Sequence, residues 1–136
     1  MKPAWTGPDS GRRLAGIAMV ELAIAAPIVV LLVFAGADIG RAYYQHDAMN
    51  KAVQAAAGYY ARNLNSDGLT MALKIYNDNM QAAGITGATA PTVTSNVDYV
   101  TMTATYTYQW MTPLPALAGA PASLTLTAYS RMRILP

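Results

Sequence analysis

The chain has 136 residues, no cysteine and a formal net charge of +2, a length that suits one small domain with an appended segment. Without cysteine there is no disulfide framework and no thiolate metal site. The charge excess is local: Lys2, Arg12 and Arg13 stand against Asp9 alone, while residues 17–136 hold six basic and six acidic side chains. A nucleic-acid surface needs Lys and Arg spread along a face, so this distribution argues against nucleic acid as a partner. It fits a topology signal, because basic residues beside a membrane span stay cytoplasmic and leave the C-terminal bulk outside.

Residues 1–13 are rich in Pro, Gly and polar groups and are set aside from fold reasoning. An apolar run follows from Leu14 to Ala37. From Ile17 to Ala37 a helix measures about 31 Å, which matches a hydrocarbon core of roughly 30 Å. Its charge-free part, Leu22 to Ala37, covers only about 24 Å, so Glu21 must lie near the inner interface or find a partner in the membrane. The helix need not stop there. Residues 41–62 are alanine-rich and free of proline, and Ala42, Tyr43, Met49, Ala52, Val53, Ala56 and Tyr60 fall on one stripe. A continuous helix from Leu14 to Arg62 is about 70 Å long, with its first half in lipid and its second half carrying a domain.

Asn63-Leu-Asn-Ser-Asp-Gly68 breaks the pattern. Ser66 or Asp67 can cap a second helix over 69–83, closed by Gly84, with Leu69, Leu73, Tyr76 and Met80 as its apolar edge. Beyond Pro91 the chain reads as strand. Val100, Met102, Ala104, Tyr106, Tyr108 and Trp110 alternate with threonines and Gln109, a period-two pattern of strong β-formers. Residues 112–121 break it. Leu124, Leu126, Ala128, Met132 and Ile134 then alternate with polar neighbours, and Thr92–Val97 offers a shorter strand. The expected fold is α+β: a long N-terminal transmembrane helix continuing outside the membrane, a second short helix and a small antiparallel β-sheet. The expected divisions are a basic leader over 1–16, the transmembrane part of the helix over 17–39, its extramembrane continuation over 40–62, and a small α+β domain over 63–136.

The most informative stretch is Arg12-Arg-Leu-Ala-Gly16 followed by Ile17-Ala-Met-Val-Glu21. Glycine has no Cβ and lets a protease approach the backbone closely. A cut after Gly16 makes Ile17 the first residue and puts Glu21 one helical turn from the freed α-amine. Glu21 can pair with that amine or with the amine of a neighbouring helix. Such pairing offsets a cost of roughly 2.5–3.5 kcal/mol for an acid at the centre of a membrane helix, and a helix N-terminus favours an anion.

In combination the basic pair, Gly16, Val20-Glu21-Leu22-Ala23, Pro27, the Val/Leu-rich run, Asp38-Ile39-Gly40-Arg41 and the alanine-rich 52–62 stretch resemble the TadE-like minor pilins of the tight-adherence (Flp) pilus system. The resemblance covers about residues 12–62, and the second half agrees only in outline. Leu22 stands where the family more often has an aromatic residue. The resemblance implies a type IV pilin-like architecture and leader removal by a prepilin peptidase. It also implies packing with other pilin subunits in a bacterial inner-membrane assembly, and a role in building an adhesive pilus. With the C-terminal domain periplasmic, the chain would be anchored in the membrane or incorporated in an extracellular fibre.

The remaining features have plainer readings. Pro27 is a helix kink whose freed carbonyl is re-satisfied by neighbours. Asp38 and Arg41, three residues apart, form an interfacial ion pair. Tyr43, Tyr44, Tyr59 and Tyr60 serve the interface belt and core packing. His46, the sole histidine, neighbours Asp47, but adjacent helical residues point about 100° apart and do not converge easily. No catalytic constellation, metal cluster, cofactor motif or small-molecule site stands out, so an enzyme is not expected. The rival to the pilin reading is a soluble exported binding module. Ala35-Gly36-Ala37 satisfies the small-x-small rule, and cleavage after Ala37 would release residues 38–136.

Overall fold

A computed structural model describes residues 10–117 and 119–134, with side chains described from Gly16 onward except that of Leu114. Residues 1–9 of the expected leader lie outside that range. Helix α1 runs from Ser10 to Tyr60, 51 residues in one piece, or about 75 Å. It begins four residues before the expected start, because no proline or glycine pair after Pro8 opposes a helix through Arg12-Arg13-Leu14. Its exposure divides it in two. From Gly16 to Ala37 no side chain is buried, and Ile17, Leu22, Leu32 and Val33 are each about two-thirds exposed. From Asp38 onward one stripe disappears beneath the rest of the chain.

That stripe is Ala42, Met49, Ala52, Val53, Ala56, Ala57 and Ala61. Tyr43, expected on it, is 74% exposed. A hundred-degree step from Ala42 turns it off the buried stripe. The abundance of alanine lets neighbouring elements approach the α1 backbone closely. Helix α2, Ser66–Ala82, packs on it through Gly68, Ala72, Tyr76 and Met80, a strict four-residue row in which Leu69 and Leu73 are only half-buried flanks. The N-cap is Asn65 rather than Ser66 or Asp67: its side-chain oxygen accepts the Gly68 N–H at 2.5 Å, which starts the helix three residues before position 69. At the other end Gly84, at φ +70°, donates to Gln81 O and Ile85 donates to Met80 O, both at 2.9 Å. Met80 and Ile85 are both buried, completing a Schellman stop with its hydrophobic contact.

The sheet is an antiparallel meander of β1 (Thr92–Ser95), β2 (Tyr99–Gln109) and β3 (Ser123–Arg133), in the order β1-β2-β3. β2 and β3 pair along their whole length, from Tyr99 opposite Arg133 to Gln109 opposite Ser123. The period-two pattern sets the inner face: Val100, Met102, Ala104, Tyr108, Leu126 and Ala128 are buried against α1, with Ser130 buried in the same phase. A one-turn helix, α3 (Leu114–Leu117), interrupts the long β2–β3 connection. His46 fastens the helix to the sheet. Asn50 donates to His46 Nδ1 (3.3 Å), leaving Nε2 to donate to Thr127 O (3.2 Å).

Gly68 gives a stringent test of how closely the turn between α1 and α2 passes the start of α2, since a Cβ there would overlap the backbone carbonyl oxygen of Asn63. Gly68→Ala is expected to destabilise the extramembrane domain by about 1–3 kcal/mol, the usual cost of overpacking. Thermal unfolding of the full chain in detergent, followed by near-ultraviolet circular dichroism, reads this as a lowered midpoint. An unchanged midpoint would contradict the close α2 contact.

Candidate assembly face and membrane-exit clamp

Two groups of residues emerge on α1. The first is near its start, where Gly16, Ile17, Val20, Glu21 and Ile24 share one face. These positions follow the three- and four-residue spacing that aligns side chains on a helix. Ile17 and Glu21 are therefore stacked one turn apart, and both are exposed. Nothing lies within 4 Å of where a Gly16 Cβ would stand, so Gly16 is not a packing requirement within the chain itself. The helix continues unbroken through Pro27, whose missing N–H leaves the Ala23 carbonyl without its usual intrahelical donor.

The second group sits where the exposed apolar span ends. Asp38 is 2% exposed, and a carboxylate cannot be buried at low cost without donors. They come from the far end of the sheet. Thr112 donates through both Oγ1 (2.7 Å) and its backbone N–H (2.9 Å) to Oδ2. Met111 N–H (3.2 Å) and the Tyr108 hydroxyl (3.2 Å) donate to Oδ1, and the same hydroxyl lies 3.1 Å from the Asp38 backbone carbonyl. One side chain thus holds the last residues of β2 and the start of the β2–β3 connection against α1. The Tyr108 ring is held edge-on by Trp110, with centroids 5.2 Å apart.

The expected Asp38–Arg41 ion pair does not form. Among the described residues the ion pairs are Lys51–Asp47 (2.7 Å) and Lys74–Asp78 (2.8 Å). Asp38 turns inward to the sheet, where four donors converge, and the Arg41 guanidinium stays outside and meets the Met111 sulfur. His46 and Asp47 likewise take separate partners, Thr127 with Asn50 and Lys51 respectively. The sequence did not single out Tyr108, Met111 and Thr112 as partners of Asp38. The one available signal was Thr112, the only hydroxyl in an otherwise apolar connection.

Burial raises the Tyr108 phenol above its ordinary value, and the Asp38 carboxylate beside it acts in the same direction. Tyr76, buried and 3.3 Å from Thr89 O, is raised by burial as well. Both effects keep these hydroxyls protonated as donors.

Removing the carboxylate orphans donors that cost roughly 1–3 kcal/mol each when buried and unpaired. Asp38→Ala should therefore lower stability by about 3 kcal/mol, and Tyr108→Phe, which removes one donor, by about 1 kcal/mol. Denaturant titration of both variants in detergent would check the ranking, and equal losses would contradict it. A second expectation concerns pH. Because the folded state raises the Tyr76 and Tyr108 values, their contribution is complete below the unfolded value of about 10 and is lost as pH rises through the folded ones. In a phenolate absorbance titration of the nine tyrosines, these two should ionise last, and the Tyr108→Phe chain should lack one of the late steps.

Comparison with known proteins finds one family likeness, on α1. No curated protein and no solved structure matches the chain. The family model described as TadE-like protein matches residues 16–58, from Gly16 through the apolar span and Asp38 into the alanine-rich packing stripe. The helix that carries both groups of residues is therefore similar to the TadE-like family over residues 16–58.

Proposed function

We propose that this chain is a minor pilin or pseudopilin, a structural subunit used in assembling a tight-adherence pilus rather than an enzyme. The observation that carries the reading is a register: the family match starts at Gly16, and directly after it Ile17 and Glu21 stand one turn apart on an exposed apolar face. A helix this long and apolar is able to cross a membrane, and its unburied side chains need lipid or other helices around them. In this reading a prepilin peptidase cuts after Gly16. The basic residues Lys2, Arg12 and Arg13 remain cytoplasmic and the α+β domain is periplasmic. Glu21 pairs with a terminal amine, its own or a neighbouring subunit's, and so sets the register between helices as they pack.

Cleavage after Ala37, the rival reading, would leave Asp38 as the new N-terminal residue, beside the clamp on Tyr108 and Thr112. No feature of the structure favours it. The intact mass and N-terminal sequence of the protein from its host's membranes separate the two, with a start at Ile17 expected and a start at Asp38 overturning the pilin assignment. Gly16→Leu should leave the leader attached. Glu21→Ala should insert and mature but lose co-purification with partner pilins by at least about tenfold, the effect of roughly 1.4 kcal/mol. Undiminished co-purification would remove Glu21 from the assembly role.

A further inference from the structure

The β2–β3 connection, residues 110–122, is unusual for a surface loop. It reads Trp-Met-Thr-Pro-Leu-Pro-Ala-Leu-Ala-Gly-Ala-Pro-Ala. Apart from the Trp110 indole its only polar side chain is Thr112, and that hydroxyl is committed to Asp38. No charged residue occurs anywhere from Tyr99 to Ser130. Met111 is 72% exposed and Leu117 75% exposed, so this apolar surface is presented outward rather than folded into the core.

Its position explains the composition. The Asp38 clamp fixes Met111 and Thr112 beside the last turn of the exposed span, and Thr112 and Pro115 line a small cavity together with Ala35, Asp38, Ile39 and Trp110. The connection therefore lies level with residues 35–39, where the apolar span gives way to Asp38 and Arg41. Six residues from Ala35 to Arg41 rise about 9 Å, close to the roughly 5–8 Å of headgroup region on each side of a hydrocarbon core. Tyr43 and Tyr44, 74% and 59% exposed, follow within the next turn, where an aromatic belt belongs.

Much of the backbone's donor capacity is already spent within the chain. Pro113, Pro115 and Pro121 have no N–H to satisfy. The Met111 and Thr112 N–H groups are taken by Asp38. Leu117 donates to Pro113 O (3.0 Å), Gly119 to Ala116 O (3.1 Å) and Ala120 to Pro115 O (2.7 Å). A connection that satisfies these donors internally loses little on leaving water.

We propose that the β2–β3 connection is a second membrane contact, seating Met111 and Leu117 in the outer interface of the bilayer beside α1. This rests on α1 being a membrane anchor. The domain is then held to the membrane at two points instead of one, which restricts its tilt and presents the rest of the sheet away from lipid.

The chain is naturally free of cysteine, so single-cysteine probes can be placed without background. Leu117→Cys, Phe34→Cys and Val97→Cys are each labelled with bimane in the full chain. They are reconstituted in phosphatidylcholine–phosphatidylglycerol vesicles containing lipid with a nitroxide near the headgroup. Phe34 lies in the span, 56% exposed, and Val97, 93% exposed, lies at the opposite end of β2. The Leu117 probe should be quenched within about twofold of the Phe34 probe, while the Val97 probe keeps its emission. Quenching at Phe34 without quenching at Leu117 would overturn the second contact and leave the anchor standing. Quenching at neither would overturn both. Unquenched Leu117, together with oxidant-driven disulfide cross-linking between two unlabelled Leu117→Cys chains, would assign the surface to a subunit interface and overturn the lipid contact.

Discussion

A buried carboxylate has to be surrounded by donors, and in this chain that requirement falls at Asp38, the first residue of α1 to disappear beneath the domain. From Gly16 to Ala37 the helix is apolar and exposed, and from Asp38 to Tyr60 it is packed on one side. The donors that answer Asp38 lie seventy and more residues later, at the end of β2. The clamp therefore fixes where along the helix the sheet begins. From that one alignment the register of the inner face follows: Tyr108 meets Asp38, and Ala104, Met102 and Val100 lie progressively further from the membrane end.

Above the clamp, the domain is held by proximity more than by bulk. Ala52, Ala56 and Ala57 on α1, Ala61 just beyond it, and Gly68 and Ala72 on α2 are all buried where the two helices pack, and larger side chains such as Met49, Tyr76 and Met80 belong to the same core. Small residues in such a contact leave little room for relaxation, since interiors are packed to near-crystalline density. The Schellman stop after α2 and the Tyr76–Thr89 hydrogen bond then direct the chain into β1 without an exposed apolar turn. A modest core thus suffices, because the long helix supplies one whole side of it.

The sequence disclosed elements with a strong period and concealed those that depend on distant partners. The strands were legible because Val100 to Tyr108 alternate strictly with polar residues, and the structure buries that set except Tyr106, which is half-buried. The apolar span was legible from its length alone. The second helix was found, but its cap and face were displaced. Asn65 is as good a cap as Ser66, and burial followed the small Gly68 and Ala72 rather than Leu69 and Leu73, because backbone approach decided the contact. Asp38 and Arg41 were read as each other's partners, and the structure gives each a different one. Local spacing offers Arg41 as a partner, while four donors converging from the sheet outweigh one exposed guanidinium that water already solvates.

The family match ends at Gly58, so it contains Asp38 but none of the residues that bind it. The chemistry of the clamp reconciles these facts. Two of the four donors to the carboxylate are backbone N–H groups, which every residue except proline supplies, and the other two are hydroxyls. A carboxylate at this point on the helix therefore constrains the path of the connection that passes it far more than it constrains that connection's sequence. The same holds for the alanine stripe, which demands a closely approaching partner without specifying its side chains. The helix can thus carry a family signature while the domain it holds lies outside the match.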